Sequence, residues 1–411
     1  MKRIFIIAVL FLSCVISNAQ DERPIPRTVD ENTLTPTVGS TNLLYSYVAL
    51  VNLAAEWKKI VKATPWNQQA WRNLFFATFL AEKNSLTKLN TDDKKNPQTA
   101  LVLRKMKEAV PNSYVFNLCA CHFWIESEWG IWDKKILRDA VKLIPADAYD
   151  EDILRLAKML WKKDCDNEKG LKDLYRRIYD RRFYPYKEMR YGWNLLQSMS
   201  HNAIFIAHDD MELEPVKIIQ EVLGERQDVT VIPCQYITNR EFTDEICRKF
   251  HIKRFALKKK ADVSKEEYVE QFTMHLIKET NRPLYQPFDM INYSNLCMDS
   301  LYNEGLLMKY SNKRYDNISV LLHNLKEVYD LKYMTEPSLV QDNTYFDNMD
   351  EDKILLTLAY VVKLFRKRGL ETEAQSLYRV ILESIHRNEN YGFMQKLNDL
   401  LPRYGLLQPL P

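Results

Sequence analysis

Nine glycines in 411 residues, no two closer than 13 positions, constrain this chain more than any other feature. They stand at 39, 130, 170, 192, 224, 305, 369, 392 and 405. An average chain carries about 7% glycine. Backbone that cradles a phosphate or turns sharply needs glycines a few residues apart, because glycine alone reaches φ > 0 without steric cost. The spacing therefore excludes a G-x-G-x-x-G dinucleotide loop, a Walker phosphate loop and a G-x-S-x-G nucleophile elbow. It also argues against a hairpin-rich all-β fold. No cofactor is expected.

Charge narrows the partners. There are 58 basic and 55 acidic residues, a net charge of +3. That balance excludes nucleic acid or an anionic membrane surface as the main partner. The densest basic run is Lys253, Arg254, Lys258, Lys259 and Lys260. It reads as a solvated face, with an anionic ligand as the alternative. All eight tryptophans precede residue 194, so the two halves are expected to be different structures.

Residues 1–19 read as a signal peptide. Lys2 and Arg3 form a positive start, Ile4 to Leu12 an apolar core, and Ser17-Asn18-Ala19 a small-residue cleavage site. The apolar core is too short to span a bilayer. Cys14 lacks the leucine that a lipid-acceptor motif carries three residues before its cysteine. The longest later apolar block, Ile354 to Phe365, has 12 residues and includes Lys363, so no span is expected in the mature chain. The expectation is an exported protein, periplasmic, outer-membrane-associated or secreted. Six cysteines then remain: 119, 121, 165, 234, 247 and 297. Cys234 with Cys247 is the first disulfide to test, and buried free thiols are the alternative.

Residues 20–40 form an extended, proline-bearing lead-in, and 41–200 read as helical throughout. Prolines punctuate the helical part. Pro111 to Pro145 is 34 residues, the tetratricopeptide period. Pro65 to Pro111 is 46, and the polar stretch Asn84 to Asn96 has the size of the excess. Trp57 and Pro65 fit the second helix of such a repeat, and Ala70, Trp71 and Leu74 the opening of the next. A further match near the other end runs through Gly369, Ala374 and Tyr378, within a helical segment spanning 311–411. Between them, 201–310 reads as a small parallel α/β (Rossmann-like) domain. Ala203–Ala207 and Asp228–Ile232 are apolar strand runs flanking a helical stretch, the order of a parallel βαβ unit. Arg282–Gln286 and Gly305–Lys309 are further strand candidates. The fold class expected is mostly α, with tetratricopeptide-like helix pairs around that α/β layer.

Several segments resemble a known family. Asn194 to Met199 leads into Asn202 to Ile206, followed by His208-Asp209-Asp210, Gln220-Glu221-Val222 and Arg226-Gln227-Asp228-Val229. Further on come Glu304-Gly305-Leu306, Tyr329-Asp330 and the stretch Asp347 to Leu382. This is similar to the soluble C-terminal region of large bacterial membrane proteins related to protein O-mannosyltransferases, over residues 190–385. The resemblance implies a stand-alone relative of an envelope accessory domain, without the membrane part that transfers sugar. The family's turn after the first strand reads Gly-Asp-Asn-Asp-Thr, where this chain has His208-Asp209-Asp210-Met211-Glu212.

Three constellations could carry chemistry. His208, Asp209, Asp210 and Glu212 follow the first strand, at the edge where open α/β sheets bind ligands. They suit a divalent cation or a sugar, or else cap a helix N-terminus. Cys119, Cys121 and His122 are ligand types, but helical geometry points Cys121 away from the other two, so no metal is expected. Ser300, in Asp299-Ser300-Leu301, matches a short envelope O-glycosylation acceptor motif, or else caps a turn. The leading expectation is an exported, non-catalytic binding or scaffolding protein of the bacterial cell envelope, using helix pairs to hold protein partners. The alternative is an enzyme or enzyme subunit acting on envelope glycan through the acidic turn.

Overall fold

The computed structural model describes residues 47–83, 97–126, 134–164, 167–208, 210–257, 263–288, 290, 300–336 and 349–387. Residues 1–46, which include the expected signal and lead-in segments, the 84–96 stretch, Cys165, Cys297 and residues 388–411 lie outside them. The chain divides into two units, Met1–Leu160 and Trp161–Pro411.

The first unit is a series of helices: α1 (Tyr47–Ala63), α2 (Gln68–Lys83), α3 (Pro97–Ala109), α4 (Tyr114–Glu126), α5 (Lys134–Leu143) and most of α6 (Asp150–Lys163). Proline stops three of them, because it cannot supply the N–H that the next helical bond needs. Two of the resulting turns are built alike. After Pro65, Asn67 N–H donates to Thr64 O at 3.0 Å, and its side chain then accepts Ala70 N–H at 3.0 Å to start α2. After Pro111, Ser113 N–H donates to Val110 O at 3.4 Å, and its hydroxyl accepts Phe116 N–H at 3.1 Å to start α4. In both, the N-cap stands two residues past the proline. Trp71 locks the first turn by donating its indole N–H to Pro65 O at 2.7 Å.

Helix α2 is the centre of this unit. It packs on α1, α3 and α4, and Ala70 to Ala77 are all buried. Phe75, Phe76, Met106 and Leu118 are fully buried, each worth about 1.5–3 kcal/mol in apolar transfer. Glu82 ties α2 to the next helix by accepting Gln98 N–H and Thr99 N–H at 2.9 and 3.0 Å, two of the free donors at the start of α3.

The second unit holds helices α7 (Glu168–Asp180) and α8 (Tyr186–Ser198), then β1 (Ile204–Ala207), α9 (Asp210–Ile218), β2 (Thr230–Pro233), α10 (Arg240–Lys249), α11 (Lys265–Glu279), β3 (Leu284–Pro287), β4 (Leu301–Asn303), β5 (Leu307–Tyr310), α12 (Asn317–His323), α13 (Met349–Lys367) and α14 (Glu371–Arg387). Helices α7 and α8, read from sequence with the earlier helical array, belong here. Gly192 of α8 shows why. A Cβ on it would stand 2.9 Å from Pro215 Cβ, so the absent side chain lets α8 press onto α9.

The sheet is a correction to the expected parallel layer. Its order is β2-β1-β3-β5-β4, with β1 parallel to β2 and β3 but β5 antiparallel to both β3 and β4. The cause is the hairpin at Glu304-Gly305-Leu306. Gly305 takes φ +117°, and the Asn303 amide bridges Gly305 N and O, so the chain reverses. Strand β4 has three residues, two of them half-buried, and gives no periodic signal. One face of the sheet is covered by α10 and α11. Ile204, Ile206, Ile232 and Leu284 meet Phe242, Ile246, Phe272 and Leu276 there.

Two arginines close the amino edge of the parallel strands. Arg226 donates to Leu196 O, Met199 O and Ser200 O at 2.6–3.0 Å, satisfying carbonyls at the end of α8. Arg282 donates to Asn202 O and Ala203 O at 2.7 and 2.9 Å. Helices α13 and α14 form an antiparallel hairpin. Gly369 at φ +75° makes the left-handed turn, and Leu370 N–H returns to Phe365 O at 3.0 Å. Ala374 is fully buried in that hairpin, and Arg366 lies 5.6 Å from the Tyr378 ring centroid. Among the described residues, no helix is long and apolar enough to cross a membrane.

Candidate functional site

Strand β1, which precedes the acidic segment in the chain, lies between β2 and β3 and is parallel to both. Asp209 lies outside the described residues, as does the side chain of Asp210, the first residue of α9. Glu212 is 2% exposed and turned back on the backbone, accepting His208 N–H at 2.8 Å. This is a helix-start cap, in which a third-position carboxylate satisfies a donor before the helix. His208 is half-buried, and its carbonyl accepts the Cys234 thiol at 3.2 Å. Glu214 is fully buried beside Tyr175. Burial, reinforced by that carboxylate, pushes the Tyr175 phenol well above its usual range. Cys234 and Cys247 are both buried free thiols, so the disulfide first considered is not formed. Ser300 is half-buried, and its carbonyl accepts Ser311 N–H at 2.8 Å beside the β4–β5 hairpin.

A second polar cluster gathers on the β-hairpin. Glu304, 2% exposed, accepts the Tyr285 hydroxyl at 3.1 Å and the Tyr315 hydroxyl at 2.6 Å, with Lys309 Nζ at 3.4 Å. Lys309 also donates to Ser200 Oγ at 3.3 Å. A serine–lysine pair becomes a nucleophile when the lysine is neutral and can take the hydroxyl proton. Here burial works against the Lys309 charge, but Tyr285 and Glu304 more than offset it and hold the ammonium above its usual range. The hydrogen bonds of the cluster tie Tyr285 of β3, Lys309 of β5 and Tyr315 to Glu304. The Tyr329 hydroxyl adds to it, accepting Leu306 N–H at 3.0 Å, and burial lifts that phenol to about 12.

The repeat-signature residues of the first unit are mostly interior. Trp57, Ala70, Trp71 and Leu74 are buried, and Pro65 forms the turn described above. Cys119 and Cys121 are buried free thiols. His122 packs edge-on against Phe75, Phe76 and Phe79 at 6.2, 5.3 and 4.8 Å between centroids. Among the described residues, no three His, Cys, Asp or Glu side chains gather closely enough to hold a metal ion.

Among the described residues, this unit has a cleft of about 430 Å³ between α3, α4 and α5. Phe116 and Phe123 supply an apolar floor, and Arg104, Lys107 and Lys135 stand among its walls with the half-buried Asp139. The volume is that of a site for a few side chains. Sequence reasoning missed it. Its cations are spread over residues 104–135, so no local charge run announces them.

No family model, curated protein or solved structure matches this chain.

Proposed function

We propose that this is an exported, non-catalytic binding protein of the bacterial cell envelope, in which the first helical unit holds a polypeptide partner. The observation that carries the reading is the α3–α4–α5 cleft, with its aromatic floor and exposed Arg104, Lys107 and Lys135. An extended partner segment with an apolar anchor and acidic neighbours complements it. The proline-turn helix pairs support a tetratricopeptide-like character, since such pairs expose grooves rather than a single closed core. The β2-β1-β3 part of the sheet is compatible with a Rossmann-like element, although the hairpin departs from it. Export rests on the reading of residues 1–19 as a signal, and fractionation of tagged full-length protein tests it directly.

The glycan-acting alternative has less support. Glu212 is engaged by His208 N–H and Glu214 is buried, which leaves that reading His208 and the two aspartates. Selection of random peptides on the immobilised mature chain tests the leading proposal. It predicts enrichment of acidic peptides with an aromatic or aliphatic anchor. Turnover of a glycoside or sugar nucleotide by the purified protein would contradict it.

A further inference from the structure

Two arginines share one aromatic ring. The guanidinium carbons of Arg72 and Arg155 lie 5.0 and 5.2 Å from the centroid of Phe76. Arg72 presents Nε and Nη2 to Asp152, at 2.7 and 2.8 Å, as a two-toothed fork. Arg155 carries the same fork, Nε–H and Nη2–H, shut away from water and without an acceptor. Its remaining nitrogen, Nη1, donates to His122 Nδ1 at 3.1 Å.

That contact fixes the histidine. Burial, then Arg155 and Lys83, hold His122 far below its usual range, so the ring is neutral. With Nδ1 accepting, Nε2 bears the hydrogen, and it too is buried without an acceptor. The Tyr114 hydroxyl is buried and unpartnered as well. The cluster thus holds two guanidinium groups amid Phe75, Phe76 and Phe79, and only Arg72 is paired with a carboxylate. An unpaired charge in such surroundings is costly, and a single counter-anion removes the cost.

We infer that the Arg155 fork is a binding site for a carboxylate, seated as the Asp152 carboxylate is seated on Arg72. Two observations select this class. The free donors form the planar fork that matches two oxygens. Arg155 lacks the carboxylate that Arg72 has in Asp152. The carboxylate comes either from a small free acid or from an acidic side chain of a partner polypeptide. The inference does not rest on the α3–α4–α5 cleft, since Arg155 belongs to α6 and is not among the cleft residues.

The test is thermal unfolding and calorimetry of the mature chain at fixed ionic strength. The probes are sodium acetate, a glutamate-rich peptide, its glutamine counterpart and inorganic phosphate, against sodium chloride. A ligand of the native state raises Tm in a saturable way. We expect acetate or the glutamate peptide to do so and the glutamine peptide not to. Acetate alone acting identifies a small acid as the source, and tighter binding of the glutamate peptide identifies a polypeptide. Arg155→Lys keeps the charge but loses the fork, and should weaken binding about tenfold. Arg155→Met should abolish binding while unfolding in chloride at or above the wild-type temperature. If Arg155→Met does not fold, the Arg155→Lys comparison decides. No carboxylate effect, an effect untouched by either substitution, or a preference for phosphate would overturn the inference.

Discussion

Arg72 and Asp152, 80 residues apart in the chain, meet through two parallel hydrogen bonds with both side chains 1% exposed. Burial works against the Arg72 charge, and the Asp152 carboxylate more than restores it. Breaking such a pair strands one buried charge, so Arg72→Met should cost about 3–5 kcal/mol in urea unfolding. The double variant Arg72→Met, Asp152→Leu should recover most of that loss, because no orphan charge remains. A single variant costing less than about 1 kcal/mol would place the pair at an exposed surface.

Gly305 and Gly369 both take positive φ, but their surroundings differ. A Cβ on Gly369 meets nothing within 4 Å, so Gly369→Ala should cost about 1–2 kcal/mol in backbone strain alone. A Cβ on Gly305 meets Tyr329 Oη, the hydroxyl that pins Leu306 N–H. Gly305→Ala should therefore cost clearly more and disturb the β4–β5 hairpin. Equal losses in a denaturation comparison would contradict the close contact.

Asp228 carries a defined pH dependence. Two hydrogen bonds from Arg226 and one from Asn202 N–H hold its carboxyl down at about 2. The folded value lies below the unfolded one, so the stabilisation is complete above about pH 4 and disappears as pH falls through about 2. It is on the order of 1–2 kcal/mol for a group this accessible. Asp228→Asn should be less stable than the parent at pH 6, with the gap closing toward pH 2. A constant gap across that range would locate the effect in packing rather than charge.

Much of the architecture was legible because it is local. The apolar run at Ile204–Ala207, the turn at Gly369 and the proline breaks each announce themselves within a few residues. The Asn194 and Tyr329-Asp330 segments, prominent in sequence, meet through two reciprocal amide bonds of 3.0 Å. What stayed hidden is non-local. Asp152 stands in the first turn of α6 and Arg72 in α2, and nothing local pairs them. The apolar run Leu74 to Ala77, continued by Phe79, Leu80 and Ala81, was the available signal that a charge at position 72 needs an interior partner. The acidic turn read either as a ligand set or as a helix cap, because sequence cannot show Glu212 folding back on His208.

Glu304 should behave as a hub. Glu304→Leu removes the acceptor of Tyr285, Tyr315 and Lys309 together. The expected loss is about 2–4 kcal/mol, from several buried donors left unmade. Glu304→Gln keeps an acceptor oxygen and should lose less. The two variants falling together in urea would remove hydrogen bonding as the explanation.

The most direct measurement of the binding role is the dissociation constant of a selected acidic peptide for the parent and for Arg104→Glu, Lys107→Glu. Both side chains are exposed at the cleft and unpaired with any acid among the described residues, so the reversal should not harm the fold. The account predicts weakening of at least about tenfold, and less at high salt where the charges are screened. An unchanged constant at low salt would contradict the cleft as the site that holds the partner.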